Sequence, residues 1–321
     1  MRALVWHGGT ALTVDERPEP VAREGEVVLD VELAGICGSD LHPYRGHPGP
    51  RVPPLVLGHE AVGSVQGRPE RYAVFPLVVC GSCSPCLRGE ENLCARRGLL
   101  GLDRDGVFAE RVAVDEDALL PLPPGVDERA AVLVEPLAAS VSVLRLDRVE
   151  AGDHVVVLGG GPIGLLAVWA SALRGAEVTC VEPLEQRRAL AGRLGAETLL
   201  AGTADVPEGR ADVAIDAVGV EETWRAGIAG VRPGGRVALV GLGQAEGAVP
   251  AAELVRRGVT LRGHYAYTRA DFEAALVLLA DSPPPLDWLT PVPLERGGDG
   301  FHRLVSEPDV VTKVLLSVPR R

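Results

Sequence analysis

Val155-Val-Val-Leu-Gly-Gly-Gly-Pro-Ile-Gly164 is a run of four apolar residues followed directly by a glycine-rich turn. A short apolar run before such a turn is typical of a buried strand, and the apolar residues beyond it predict a helix. Residues 155–173 carry no charge and approach the length that spans a bilayer, but the glycines and Pro162 interrupt them. We therefore predict a strand, a tight turn and a separate helix instead of a transmembrane segment.

The turn fits the pattern G-x-G-x-x-G, with Gly159, Gly161 and Gly164 at the fixed positions. Glycines there allow a tight turn and let the backbone approach a pyrophosphate, which N–H groups at the start of the helix can bind. The pattern alone is weak, because a glycine-rich turn can serve packing only. Its context strengthens it, since a second predicted strand ends at Glu182, about twenty residues further on.

Glu182 predicts a preference for NAD over NADP. A carboxylate at this place accepts hydrogen bonds from the ribose 2′-hydroxyl and repels a 2′-phosphate. Arg187 and Arg188 follow closely in the sequence and leave NADP as an alternative. An exposed glutamate that merely ends a strand is the plainer interpretation.

The length of 321 residues exceeds what one hydrophobic core usually serves, which predicts two domains. Further strands are predicted over residues 212–218 and 236–240, so a parallel α/β dinucleotide-binding domain is expected over residues 139–265. Short valine-rich segments between proline and glycine turns predict an antiparallel β-rich domain over residues 1–138. We expect residues 266–321 to return to that domain and complete it.

Two segments within residues 266–321 could add a helix and a strand to the first domain. Residues 269–279 have helical spacing of apolar side chains, and residues 310–318 form a strand candidate. Pro283, Pro284 and Pro285 make a stiff connection between them.

Charge and cysteine content limit the partners and the compartment. The net charge of −12 argues against nucleic acid or an anionic membrane as a partner and favours a small-molecule substrate. Residues 1–10 lack the apolar stretch and cleavage site of a secretory signal. We expect a cytoplasmic, reducing compartment, in which thiolates persist.

Four of the six cysteines fall within residues 80–94, and they are Cys80, Cys83, Cys86 and Cys94. Disulfides or chance clustering are the alternatives, but the intervening glycines and Pro85 let one loop curl around an ion. Four thiolates form a closed tetrahedral zinc cage, which has no open position for chemistry. The cluster therefore predicts a structural zinc and requires a separate reactive centre.

A second set of metal ligands lies elsewhere, and we place Cys37, His59, Glu60 and Glu135 at a catalytic zinc. Each residue alone has an ordinary structural explanation, since a cysteine can fill a core and a histidine can serve a turn. Together they offer sulfur, nitrogen and oxygen, and three protein ligands leave one position open for water or substrate. Asp40 can hold the tautomer of the histidine.

These motifs resemble those of the zinc-dependent medium-chain alcohol dehydrogenases, specifically the polyol (sorbitol-like) and threonine dehydrogenase branch. The resemblance covers nearly the whole chain and rests on residues 35–42, 58–60, 80–94, 134–138, 159–164 and 313–316. It implies a chaperonin-like (GroES-like) β-barrel catalytic domain built from both ends of the chain. It also implies a Rossmann domain with a doubly wound parallel sheet.

The resemblance assigns roles at the reactive centre. Cys37 and His59 would be zinc ligands, and Glu60 or Glu135 would complete the shell directly or through water. Two further residues, Ser39 and His42, match the proton relay of the family. Asp40 matches the residue that orients the zinc-bound histidine.

The resemblance also assigns contacts to the dinucleotide, at the turn from Gly159 to Gly164 and beyond. The residues concerned are Gly159, Gly161, Pro162, Ile163, Gly164, Glu182, Arg187 and Lys313. Lys313 is the only lysine of the chain and corresponds to a basic position near the pyrophosphate. A charge at a strand edge is its alternative explanation.

The function implied is that of a zinc-dependent oxidoreductase. It would transfer a hydride between NAD and a secondary alcohol, such as a polyol, a sugar alcohol or a threonine-like amino alcohol. One alternative is an NADPH-dependent ketone or aldehyde reductase of the same fold, and another is a redox-inactive protein that binds zinc and nucleotide. Relatives with a four-cysteine lobe are often homodimers or homotetramers, and we expect one of these assemblies.

Departures from the family pattern bear on the substrate. The segment between Glu60 and Cys80 is shorter than in most relatives, which we interpret as a missing surface hairpin. Pro43 and Ala266-Tyr267 stand where sorbitol-type enzymes usually carry an aromatic residue and an Arg-Tyr pair, so sorbitol itself is disfavoured.

The proline-rich segment after Pro43 adds a further departure, because it contains Arg45 and Arg51. Either arginine could contact a phosphate or carboxylate of the substrate, or could simply lie on the surface.

Overall fold

The computed structural model describes residues 1–47 and 49–319 and divides into two compact units. One unit consists of Met1–Glu135 together with Thr268–Arg321, and the other of Pro136–Tyr267. The sequence pattern predicts these limits at residues 138/139 and 265/266. Both ends of the chain therefore belong to one unit.

The strands of the described residues are β1 (Arg2–Gly8), β2 (Ala11–Glu16), β3 (Glu26–Gly35), β4 (Leu55–Val56), β5 (Glu60–Val65), β6 (Arg71–Val74), β7 (Leu77–Val78), β8 (Gly98–Leu99), β9 (Arg111–Asp115), β10 (Leu119–Pro121), β11 (His154–Leu158), β12 (Glu177–Val181), β13 (Thr198–Leu200), β14 (Ala211–Asp216), β15 (Val231–Leu239), β16 (Thr260–Gly263), β17 (Leu289–Pro293) and β18 (Lys313–Ser317). The α-helices are α1 (Gly38–Tyr44), α2 (Ser84–Leu87), α3 (Glu128–Val132), α4 (Val134–Leu146), α5 (Pro162–Leu173), α6 (Glu185–Arg193), α7 (Glu221–Gly230), α8 (Ala251–Arg257), α9 (Arg269–Asp281) and α10 (Gly297–Ser306). None of these helices is both long and apolar enough to cross a membrane.

The first unit is built on a largely antiparallel sheet in the order β10-β6-β5-β3-β18-β17, with β9 also pairing with β3. The C-terminal strand β18 pairs antiparallel with β3 and brings Leu315 opposite Gly35. The helix expected at residues 269–279 is α9, and the strand expected at 310–318 is β18. Buried side chains such as Leu29, Phe108 and Phe301 fill the core beneath this sheet.

The second unit contains one parallel sheet in the order β13-β12-β11-β14-β15-β16. Strand β11 is buried from Val155 to Leu158, as expected for a strand with helices on both faces. The strands expected at residues 212–218 and 236–240 correspond to β14 and the end of β15. The order reverses at β11, which lies between β12 and β14, and such a switch point opens a ligand crevice at the carboxyl ends of the strands.

Candidate metal centres and dinucleotide site

The first candidate metal centre is assembled by two neighbouring strands. Cys37 follows β3 and precedes the first residue of α1, while His59 and Glu60 stand at the start of β5. The strands pair with Gly35 opposite Glu60, which brings the three side chains together. One ligand atom from each of Cys37, His59 and Glu60 lies within 4.8 Å of the others. We call this group the buried centre.

Glycines make room for the buried centre. Gly58 has a φ of +93°, and a Cβ on it would overlap the ring of Phe108. A Cβ on Gly35 would overlap the carboxylate of Glu60. Side chains at these two positions would therefore displace the backbone before His59 or push Glu60 out of place.

His59 is buried, and each of its ring nitrogens faces a polar group. Its Nε2 lies 3.3 Å from Ser39 Oγ, and its Nδ1 lies 3.6 Å from Asp40 Oδ1. Burial opposes protonation, but the negative charges of Asp40 and Cys37 outweigh it and raise the pKa of His59 well above its usual range. These charges also attract a metal cation, which replaces the proton on a ligating histidine. The buried centre therefore fits zinc.

Glu60 has a buried cationic partner that sequence reasoning missed. Lys313 Nζ donates to Glu60 Oε1 at 2.6 Å and also to Oε2, and it donates to the carbonyl of Ile36 at 3.1 Å. Burial opposes the charge on the ammonium, but the Glu60 carboxylate outweighs it and raises the pKa of Lys313. With 1% of its side chain exposed, Lys313 is not a strand-edge charge, so that alternative is wrong. Its contact with a pyrophosphate stays a prediction.

The two proposed relay residues, Ser39 and His42, lie on helix α1. Ser39 reaches the Nε2 side of His59, as described above, and the half-buried His42 lies one turn further along. Burial lowers the pKa of His42, and the positive charges of Arg51 and Arg45 lower it further. His42 is therefore neutral near pH 7 and can accept a proton.

Glu135 is buried at the start of α4. Its negative charge contributes to raising the pKa of both His59 and Lys313. Among the described residues, the compact group of ligand atoms contains Glu60 and does not include Glu135. Distance alone therefore favours Glu60 over Glu135 as the nearer carboxylate.

Arg51 does not lie on the surface, so the surface interpretation of this arginine is wrong. Its side chain is 5% exposed, and its Nε donates to the carbonyl of Gly101 at 2.9 Å. Its Nη2 lies 3.8 Å from Asp40 Oδ1. Arg45, by contrast, is exposed.

The second candidate metal centre is the cluster of Cys80, Cys83, Cys86 and Cys94, which we call the cysteine lobe. All four cysteines are free, so the disulfide alternative is wrong. Their sulfurs are separated by 3.4 to 3.9 Å along four edges of the cluster. A zinc ion with Zn–S bonds of about 2.3 Å would separate its ligands by about 3.8 Å. The lobe therefore has the dimensions of a closed zinc cage.

Hydrogen-bond donors favour the thiolate at part of the cysteine lobe, since they lower the pKa of Cys80 and Cys83, while burial raises the pKa of Cys86 to about 12. The backbone N–H of Ser82 and the guanidinium of Arg96 lower the pKa of Cys80 to about 5. Cys94 Sγ accepts from the backbone N–H groups of Cys80 at 3.5 Å and Arg96 at 3.3 Å. A zinc ion requires the deprotonated sulfur that these donors stabilise.

The glycine-rich turn lies between β11 and α5 in the second unit. Gly161 is the N-cap residue of α5, and Pro162 occupies the first turn, where its missing N–H costs nothing. A Cβ on Gly159 would overlap Val218, and a Cβ on Gly164 would overlap the carbonyl of Gly159. The first and last glycines of the pattern are thus required by close packing around the turn.

Glu182 directly follows β12 and bonds to the turn. Its Oε2 accepts from Gly160 N at 2.6 Å, and its Oε1 accepts from Leu184 N at 2.9 Å. Each carboxylate oxygen has a second lone pair, so acceptor capacity remains for a ribose hydroxyl. Glu182 is therefore not a simple surface residue, since it is buried against the backbone that would hold a pyrophosphate.

Other residues of the expected dinucleotide site lie on α5 and α6, and their contact with a dinucleotide stays a prediction. The carbonyl of Ile163 accepts a hydrogen bond from Ser140 Oγ at 3.2 Å. Arg188, on α6, donates to the carbonyl of Glu182 at 2.7 Å, while Arg187 is partly buried on the same helix.

Sequence reasoning missed Asp216, which ends β14 beside the turn. Its Oδ1 accepts from the backbone of Val218 at 2.9 Å and of Gly219 at 3.0 Å. Burial raises the pKa of Asp216. The carboxylate fixes the loop that packs on Gly159, and an acid at the end of a predicted strand was the available signal.

Comparison with known proteins agrees with this arrangement. Family models match as the alcohol dehydrogenase GroES-like domain over residues 23–124 and as the zinc-binding dehydrogenase over residues 162–281. The sorbitol dehydrogenase of Halalkalibacterium halodurans is 34% identical over 303 residues, which cover 87% of this chain and 88% of that protein. The alcohol dehydrogenase of Thermus sp. ATN1 aligns with a TM-score of 0.92 and 31% identity, covering 99% of this chain and 100% of that one. A short chain alcohol dehydrogenase from E. coli CFT073, complexed with NADH, aligns with a TM-score of 0.91 and 27% identity over 99% of each chain.

These likenesses confirm the expected combination of a GroES-like domain with a Rossmann domain. They also confirm an oxidoreductase that uses zinc and a nicotinamide dinucleotide to convert a small-molecule alcohol. The chain belongs to the zinc-dependent medium-chain alcohol dehydrogenase family, in its polyol dehydrogenase branch.

Proposed function

We propose that this enzyme oxidises a secondary hydroxyl group of a polyol or sugar alcohol with NAD and catalyses the reverse reduction. The observation that carries this proposal is the buried centre, where Cys37, His59 and Glu60 meet beside the hydroxyl of Ser39. A mixed sulfur, nitrogen and oxygen set is typical of a catalytic zinc with an open position. The 34% identical sorbitol dehydrogenase supports the polyol class.

The cofactors would supply the bond-changing chemistry: bound zinc polarises the substrate hydroxyl as a Lewis acid, and NAD accepts the hydride. Cys37 and His59 hold the metal site, and Asp40 faces the far nitrogen of His59. Ser39 Oγ, which lies beside the Nε2 edge of His59, accepts the hydroxyl proton of the substrate as it gives up its own hydroxyl proton toward His42. His42 accepts that proton, since its lowered pKa keeps it neutral near pH 7, and releases it to solvent.

We assign Glu60 as the third protein ligand and Glu135 as a second carboxylate that adds charge near the site. Glu60 has an oxygen within 4.8 Å of the Cys37 and His59 ligand atoms. Its bond to Lys313 leaves lone pairs on both oxygens, so it can serve both partners. Zinc content of the Glu60→Gln and Glu135→Gln variants tests the assignment, because the direct ligand should lose more zinc. Greater loss in Glu135→Gln would reverse it.

We propose NAD as the preferred cofactor. The Glu182 carboxylate is buried against Gly160, at the place where a ribose hydroxyl would bind. A 2′-phosphate there would meet a negative charge, which disfavours the NADPH-dependent reductase. Arg188 does not offset this charge at the carboxylate, because it donates to the main-chain carbonyl of Glu182.

Substrate recognition by Arg51 is disfavoured, because this arginine is buried and bonded within the protein. A phosphate or carboxylate on the substrate would therefore have to meet another cation, of which the exposed Arg45 is a candidate. We accordingly propose an uncharged polyol as the first substrate class to test, ahead of sugar phosphates and sugar acids.

The decisive experiment combines metal analysis with a substrate panel. Protein purified without chelator is analysed for zinc and assayed with NAD and NADP against polyols, sugar acids, simple secondary alcohols and threonine. We expect about two zinc ions per chain and faster turnover of polyols with NAD than with NADP. One zinc per chain without turnover would overturn the proposal and favour a redox-inactive zinc and nucleotide-binding protein.

We also propose a cytoplasmic homodimer or homotetramer joined through strand β16. This strand lies at the end of the parallel sheet, its residues are mostly exposed, and Val255 on the neighbouring α8 is 82% exposed. An uncovered edge strand offers N–H and C=O groups to a second copy. Light scattering in solution should give two or four times the chain mass of 33.7 kDa, and a monomer mass would contradict this assembly.

The free cysteines of the lobe suit the reducing cytoplasm that we propose as the compartment.

A further inference from the structure

Arg51 is a buried cation that neither the cysteine lobe nor the dinucleotide turn explains. Its Nε is satisfied by the carbonyl of Gly101, while its Nη2 end points toward Asp40. Gly101 itself packs against the backbone of Gly58, since a Cβ on Gly101 would overlap the Gly58 amide. The bond to Gly101 thus fixes the guanidinium close to the chain segment that carries His59.

Asp40 is the group that this guanidinium faces. The carboxylate is fully buried, and its Oδ2 accepts from the backbone N–H of Cys37 at 3.1 Å. Its Oδ1 lies 3.8 Å from Arg51 Nη2 and 3.6 Å from His59 Nδ1. Within residues 1–47 and 49–319, neither Asp40 Oδ1 nor His59 Nδ1 has a hydrogen-bond partner. Two groups, Arg51 Nη2 and His59 Nδ1, therefore converge on one carboxylate oxygen, and the backbone N–H of Cys37 holds the other.

A carboxylate buried in this way needs a nearby cation, because an uncompensated buried charge is strongly destabilising. The backbone N–H of Cys37 compensates only one of its oxygens. Arg51 supplies a full positive charge on the side of the other oxygen. Without it, this oxygen would lose its cationic neighbour, and the Asp40 side chain would rotate away from His59.

We propose that Arg51 is a positioning residue for the buried centre. It compensates the charge of Asp40 and keeps the carboxylate against Nδ1 of His59, so that Nε2 of the ring stays directed to the metal. This inference rests on the proposed role of Cys37 and His59 as zinc ligands. Groups that hold the far nitrogen of a ligating histidine typically change metal affinity by about 10- to 100-fold.

The test is a double-mutant cycle with four proteins: wild type, Arg51→Met, Asp40→Asn and the double variant. Each holoprotein is titrated with a chelator, and the zinc that remains on the chain is measured. Zinc in the cysteine lobe serves as the internal reference, since the lobe shares no ligand with the buried centre. Cobalt-substituted proteins add the visible absorption of the site as a readout that does not depend on turnover.

We expect Arg51→Met to hold the zinc of the buried centre about 10- to 100-fold less tightly and to change the cobalt spectrum. Zinc in the cysteine lobe should be unaffected. In the Asp40→Asn background, the same substitution should change zinc retention by less than about twofold, because the charge that Arg51 compensates is absent. Arg51→Lys should recover much of the loss, since it restores the charge. Arg129→Met, at an exposed arginine paired with Asp127, is the matched control and should behave as wild type.

Two outcomes overturn the inference. Wild-type zinc retention in Arg51→Met would show that the cation does not support His59. An equal loss in the wild-type and the Asp40→Asn backgrounds would show that Arg51 acts through its bond to Gly101. If Arg51→Met does not fold, two other comparisons test whether Arg51 acts through its charge on Asp40. The double variant is compared with Asp40→Asn, and Arg51→Lys is compared with wild type. A wild-type protein that holds only the lobe zinc would instead refute the proposed function itself.

Discussion

The two candidate metal centres of the first unit are built in opposite ways. The cysteine lobe takes all of its candidate ligands from residues 80–94, and three of its four cysteines are only partly buried. The buried centre takes its candidate ligands from the segments around β3 and β5, and its Glu60 is balanced by Lys313 on β18. The cysteine lobe is formed within one local loop, and the buried centre depends on pairing across the sheet.

The two centres differ in the groups that stabilise their negative charges. In the cysteine lobe, backbone N–H groups and the nearby Arg96 stabilise the sulfurs. In the buried centre, two side-chain cations face the carboxylates, Arg51 from the segment between Asp40 and His59 and Lys313 from the distant strand β18. A site that must keep an open position in a buried environment cannot rely on four anionic ligands alone, because each buried charge requires compensation.

The largest expected effect comes from breaking the buried centre at Cys37. The Cys37→Ala variant should lose one zinc per chain and at least about a thousandfold in kcat, because Lewis-acid stabilisation is worth several kcal/mol. The fold should persist, since the cysteine lobe and both sheets are untouched. Zinc analysis, circular dichroism and steady-state kinetics check this expectation. A variant with the wild-type rate would show that catalysis does not use this centre.

The second-largest effect is expected from removing Lys313, the cation that pairs with Glu60. The Lys313→Met variant should lower the free energy of unfolding by about 3 to 5 kcal/mol, because it leaves the buried carboxylate without its partner. The double variant Glu60→Gln/Lys313→Met should lose less, since neither charge remains. Urea denaturation of the metal-free wild type and both metal-free variants measures the difference, since Glu60→Gln would otherwise add the loss of zinc. Equal destabilisation would mean that the lysine matters for packing and not for charge.

The sequence predicts a centre better when its residues lie close together in the chain. Cysteine spacing within one loop is visible in the sequence, and so is the segment that joins Cys37 to Ser39 and His42. The glycine turn and Glu182 were likewise predictable, because they lie in one strand-turn-helix-strand unit.

Compensating charges were not predictable in this way. Lys313 and Glu60 are 253 residues apart in sequence and meet only because β18 adds to β3, which pairs with β5. Arg51 was interpreted as a surface or substrate residue, since a proline-rich segment rarely buries a charge and gives no periodic signal. Pairing across a sheet depends on register, and a single sequence does not specify it.

Proton transfer is a further distinction, because only the buried centre needs a path to solvent. The His42→Gln variant should lower the rate of alcohol oxidation by about 10- to 100-fold near pH 7, where the lowered pKa leaves the wild-type imidazole neutral. The deficit should shrink as the pH rises and hydroxide takes over as acceptor. It should also shrink below the pKa of His42, where the wild type is itself protonated. A pH-independent deficit in kcat would contradict the relay.

The smallest effect on catalysis should come from opening the cysteine lobe. The Cys94→Ser variant should lose one zinc and unfold at a lower temperature, since a closed cage contributes to folding. Its kcat should stay within about tenfold of wild type, because the lobe has no open position and shares no ligand with the buried centre. Thermal unfolding and kinetics on the same preparation separate the two properties. A loss of kcat as large as that of Cys37→Ala, in a variant still folded at the assay temperature, would mean that the cysteine lobe takes part in the reaction and that the contrast between the two centres is false.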